Sequence, residues 1–104
     1  MKAFFIAGLL ALGSVGAMAQ DEIHHCGLIG NIYETAAYAR KLGHDPEMAL
    51  SMVSPYQEIP IEDRKRIVNS VYFEPAFERA GGTALQRQMM DLCMYGPKKF
   101  KPLK

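Results

Sequence analysis

Four stretches of the chain carry apolar residues at three- and four-residue steps, the spacing that lines one face of a helix. The first runs from Ile23 to Leu42, where Leu28, Ile29, Ile32, Ala36 and Ala39 form a stripe and Glu34, Arg40 and Lys41 fall off it. Asp21 and Glu22 suit the positive helix start, Arg40 and Lys41 suit its end, and Gly43 is placed to stop it. Asp45-Pro46-Glu47 opens a second, shorter helix, with a capping carboxylate followed by proline at the first helical position. Met48, Ala49, Met52 and Val53 follow, and Ser54-Pro55 ends it. Tyr56 to Pro60 is read as a loop.

A third helix begins at Ile61-Glu62-Asp63, carries Ile67, Val68, Val71 and Tyr72 on one face, and breaks at Glu74-Pro75. Pro75 to Ala80 is read as an irregular turn and Gly81-Gly82 as a hinge. Thr83 is the predicted cap of the last helix, with Gln86 as its capping-box partner and Leu85, Met89, Leu92 and Cys93 as the inner face. Alternating apolar runs and hairpin dipeptides are missing, so the pattern predicts a small all-α bundle of about four helices.

The first nineteen residues follow a different rule. Lys2 precedes an apolar run from Ala3 to Ala17, Ala17-Met18-Ala19 places small residues where a signal peptidase needs them, and Gln20-Asp21-Glu22 is abruptly polar. This is the pattern of a cleavable secretory signal at residues 1–19. An uncleaved membrane anchor is the alternative, and the small-x-small site argues for cleavage. The expected division is a signal peptide, one helical domain over residues 20–97, and a basic flexible tail over residues 98–104. The tail holds Lys98, Lys99, Lys101 and Lys104 with Phe100 among them, against a body of opposite net charge. It is read as a solvated end, with an anionic lipid or an acidic partner as the alternative contact.

Export changes the meaning of the cysteines. An even count in a small chain bound for an oxidising compartment reads as a disulfide, here Cys26 with Cys93. Closing so long a loop is worth about 4 kcal/mol in the chain-entropy model. Both cysteines fall on or beside apolar stripes, so the bridge and the helix faces ask for the same packing.

The 12 basic and 11 acidic residues exclude a polybasic nucleic-acid binder, and the length excludes a multidomain enzyme. His24-His25-Cys26 with His44 invites a metal, but adjacent histidines on a helix diverge by about 100° and no zinc-type cysteine pair is present. Met48, Met52, Met89, Met90 and Met94 could form a soft copper site, though their spacing is also that of core fillers. Gly27-Leu28-Ile29-Gly30 fits a close helix crossing better than a nucleic-acid loop. Arg64-Lys65-Arg66 beside Glu62 and Asp63 reads as a salt-laced surface. Glu34, Glu74, Glu78 and Asp91 are scattered, and no serine elbow or phosphate loop occurs. No catalytic, cofactor or metal residue is assigned.

Cys26-x-x-Ile29-Gly30, Arg40-x-x-Gly43, Val71-Tyr72-x-x-Pro75 and Cys93 together resemble a loose group of small, mostly uncharacterised exported helical proteins of proteobacteria and their phages. The resemblance implies a periplasmic all-α domain with a disulfide between its ends, and no activity. The chain is also similar to small periplasmic immunity proteins, without their extra cysteines, and in size and single disulfide to acid-stress periplasmic chaperones.

The function expected is therefore a non-enzymatic periplasmic module that binds another exported or envelope protein, with no cofactor. A metal or small-ligand carrier using Met and His is the alternative, and an immunity-type inhibitor or acid-stress chaperone the third reading. The expected partner surface is Tyr72, Phe73, Pro75 and Phe77. Three aromatics around a helix-breaking proline cannot all turn inward, and exposed aromatics at a rigid turn favour interfaces.

Overall fold

A computed structural model describes the backbone of residues 2–96 and the side chains of residues 20–96. It contains four α-helices, α1 (Lys2–Lys41), α2 (Pro46–Met52), α3 (Ile61–Phe73) and α4 (Gly82–Tyr95), with a 3-10 turn at Pro75–Phe77 before the last. No strand occurs among the described residues. The fold is the small disulfide-linked all-α bundle that the periodicity predicts. The expected basic tail, Lys98 to Lys104, lies outside the described residues, as do the side chains of the expected signal peptide at residues 1–19.

α1 begins before the predicted Ile23–Leu42 helix, and neither proline nor glycine stands between Ala19 and Ile23 to interrupt it. Its end is where Gly43 places it. Gly43 takes φ +83°, its N–H donates to the Arg40 carbonyl, and the His44 N–H donates to that of Ala39. That is a Schellman closure, which glycine allows without a Cβ clash. Two residues later Asp45 caps α2, its carboxylate accepting from the Met48 N–H at 2.8 Å with Pro46 at the first helical position. Over residues 20–96 no helix is long and apolar enough to cross a membrane.

α1 is the spine, and its neighbours divide between two flanks. Ile32, Ala36 and Ala39 face Ala49 and Val53 from the α2 region, Ile67, Val68 and Val71 from α3, and Ile59 from the connecting loop, all fully buried. The other flank belongs to α4. Cys26 is bridged to Cys93, Gly30 lies against Gln86, and Ala37 lies against Gly81, so α4 runs antiparallel to α1. Gly30 and Ile32 serve opposite sides because two helical residues are separated by about 200°.

The apolar faces of α1, α3 and α4 do not close into a single three-helix packing. Among the described residues α4 packs on α1 alone and does not neighbour α2 or α3. The Pro75–Gly81 segment carries the chain to the far flank, and α2 fills the place beside α3. Consequently α4 needs only a narrow apolar strip. Leu85 is buried and Met89 half-buried, whereas Leu92 and Cys93, predicted on the inner face, are exposed. The predicted Thr83 cap is also replaced. α4 starts two residues earlier with Gly81 as its cap, and the Gln86 side chain is drawn into the helix crossing, donating to Asn31 Oδ1 at 3.2 Å.

Candidate functional site

The predicted partner surface lies where α3 stops. Proline disfavours helical geometry in the residue before it, and Glu74 accordingly takes ψ 127°, turning the chain out of the helix. The exit is fastened locally. The Glu74 N–H donates to the Ser70 carbonyl and the Ser70 hydroxyl donates to the Glu74 carboxylate, both at 3.0 Å.

Arg40 holds the segment from the other side. Its guanidinium donates to the carbonyls of Val71, Phe77 (2.7 Å) and Ala80 (2.9 Å). The Val71 carbonyl belongs to the last turn of α3, where carbonyls lack intrahelical partners and a positive charge is favourable. One side chain thus ties α1 to the end of α3, the 3-10 turn and the approach to α4. The Tyr72 hydroxyl adds a further tie, donating to the His44 carbonyl at 2.7 Å. Partial burial pushes its phenol above the ordinary tyrosine range. Asp45 reinforces the shift and Arg40 opposes it.

On this clamped backbone the aromatics part company. Phe77 turns inward and stacks on Tyr33, ring centroids 5.6 Å apart. Burial raises the Tyr33 phenol above its usual range, with Arg66 pulling the other way and Glu74 adding to the rise. Phe73 turns outward and is 69% exposed, with the Tyr72 ring tilted beside it at 6.3 Å. Pro75 is exposed next to them. Of the four predicted surface residues, Tyr72, Phe73 and Pro75 share one face, while Phe77 serves the core.

Phe73 is also the wall between two surface hollows. One, of about 550 Å³, is lined by Glu62, Lys65, Arg66, Asn69, Ser70 and Glu74; the other, of about 340 Å³, by Arg40, Tyr72, Glu74, Pro75 and Glu78. A larger groove of about 830 Å³ runs between α1 and residues 78–82, with Tyr38 and Lys41 on one wall and Arg79 on the other. Cations near Phe73 are already engaged: Arg66 pairs with Asp63 at 3.1 Å, Lys65 approaches Glu62 at 4.0 Å, and Arg40 is spent on carbonyls.

Arg40, read as a charge suited to the end of the first helix, does stand in its last turn, but its role in holding the segment after α3 was missed. The signal lies in its position, one turn after Ala36 on the edge of the apolar stripe, where a long side chain reaches across the core rim.

The metal-ligating candidates are dispersed. His24 pairs with Glu58 at 3.0 Å, and the cysteines form the Cys26–Cys93 disulfide, with Cα atoms 5.5 Å apart. No group of three His, Cys, Asp or Glu side chains that could hold a metal occurs among the described residues. The methionines divide between elements that do not meet. Met48 and Met52 stand on α2, and Met89, Met90 and Met94 on α4. Met48 is 47% exposed, so the core-filler reading fails for it: α2 turns Ala49 inward and leaves Met48 outside. The glycine pair divides too. A Cβ on Gly30 would lie 2.5 Å from the Gln86 carbonyl oxygen, whereas one on Gly27 would meet nothing within 4 Å. Gly30 alone makes the close crossing.

Comparison with family models, curated proteins and solved structures finds no match to this chain.

Proposed function

We propose that this chain is an exported, non-enzymatic module that acts in the periplasm by binding another exported or envelope protein through the Tyr72–Phe73–Pro75 face. The observation that carries the reading is Phe73: a large aromatic, 69% exposed, on a backbone that Arg40, Tyr72 and Ser70 hold in place. Holding an apolar side chain in water at a fixed position contributes nothing to folding. It suits insertion into a partner's pocket, where burial of a phenylalanine contributes about 1.5–3 kcal/mol and the ordering cost is already met. The leader at residues 1–19, the disulfide and the scattered carboxylates support the same reading.

A photo-crosslinking residue at position 73 tests it in intact cells, with position 61 on the same helix as an exposed control. A discrete adduct with one envelope protein at position 73 and not at 61 is expected. Phe73→Ala should then weaken binding of that purified partner at least about tenfold while changing stability by less than about 1 kcal/mol. Equal adducts at both positions, or unchanged binding by Phe73→Ala, would refute the assignment.

A further inference from the structure

We propose that the Cys93 sulfur is a thiol–disulfide exchange site, at which a dithiol reductant of the Cys-x-x-Cys class opens the bridge and frees α4 from α1. Three observations at the α1–α4 flank converge on this, and none involves the Phe73 surface.

The two ends of the bridge are unequal. Cys26 is 2% exposed within α1, whereas Cys93 is exposed on the outer helix. An attacking thiolate needs access to a sulfur, and of the two residues Cys93 is the one that solvent reaches. Among the described residues α4 touches α1 alone and contributes one buried side chain, Leu85. Its other end is already built to turn. Gly81 caps α4 with no side-chain hydrogen bond and Gly82 sits at φ +65°, a position where glycine moves without Cβ restraint. Most of the buried core, including Ile32, Ala49, Ile59, Ile67 and Val71, comes from α1, α2, α3 and the loop between them, and α4 adds Leu85 to it.

The exchange balances without any group beyond the reductant. One thiolate of the dithiol attacks Cys93 Sγ. A mixed disulfide forms, the Cys26–Cys93 bond breaks, and Cys26 leaves as a thiolate that takes up a proton. The second thiolate of the reductant then attacks its own partner sulfur in the mixed disulfide, closing the reductant's internal disulfide and releasing Cys93 as a thiol. Two electrons pass to the protein, and the reductant is oxidised. With the staple gone, α4 swings about Gly81–Gly82 and uncovers the Gly30–Ala37 flank of α1.

Two measurements on the full oxidised chain test this. A dithiol reductase whose second cysteine is replaced by alanine traps the mixed disulfide, and peptide mass spectrometry locates it; the adduct should be on Cys93. Amide exchange is then followed after opening with dithiothreitol, and in parallel in the Cys26→Ser/Cys93→Ser variant without reductant. Amides of α4 should exchange at least about 100-fold faster in both, while those of Ile67, Val68 and Val71 stay within about threefold. An adduct on Cys26, unchanged protection in α4, or loss of protection in α3 together with α4 would each overturn the proposal.

Discussion

The two flanks of α1 are held by different physics. Toward α2 and α3, Ile32, Ala36 and Ala39 meet a set of fully buried aliphatic side chains, and cohesion is hydrophobic. Toward α4, the contact is a close crossing of small residues, a glycine under a backbone carbonyl and an alanine beside Gly81, joined by buried Leu85, half-buried Met89, the Gln86–Asn31 hydrogen bond and a covalent bridge. Small residues let the backbones approach closely but remove little apolar area from water. Only the second flank carries a covalent staple. A chain this short has few apolar residues to distribute, and it concentrates them on one side.

The sharpest way to break this contrast is a pair of truncations. Ile67→Ala should lower global stability by about 2–5 kcal/mol in denaturant unfolding, the usual range for a buried aliphatic side chain. Leu85→Ala, although equally buried, should act on α4, accelerating exchange of its amides with a smaller shift of the global midpoint. Equal effects of the two on the global transition would erase the distinction. Arg40→Met comes next. It removes charged donors from three carbonyls and should cost about 1.5–3 kcal/mol, with selective loosening of residues 74–80 seen by backbone NMR. The smallest effects compare two glycines. Gly30→Ala collides with the Gln86 carbonyl and should cost about 1–3 kcal/mol, read as loss of α4 protection, whereas Gly27→Ala should stabilise α1 by about 0.5–1 kcal/mol in thermal unfolding.

How much of this was legible in the sequence follows from what kind of signal each feature leaves. Helix boundaries at Gly43, Asp45-Pro46 and Glu74-Pro75 are dictated by φ restrictions and missing donors within a few residues, so they can be read locally. The Cys26–Cys93 pair follows from counting. Ile59 was not legible as core because it sits in a loop, where no periodicity marks burial. Which helices neighbour α4 depends on the path of Pro75–Gly81, a property of the whole chain. For that reason Leu92 looked inward in the pattern and is exposed in the fold, while Cys93 is exposed with its sulfur bonded to the buried Cys26. At the candidate site, the proline and its three aromatics announced a surface, and the exposure of Phe73 fits that expectation. The split that sends Phe77 to Tyr33 depends on Arg40 reaching carbonyls 31 to 40 residues away, and no local pattern encodes that.

Native-state amide exchange of the oxidised, unmutated chain under increasing denaturant tests the unequal flanks most directly. The account predicts that Ile67, Val68 and Val71 exchange only through global unfolding, while the amides of Ala84 to Asp91 open by a separate route at least about tenfold more often. A single common opening free energy for α3 and α4 would contradict it.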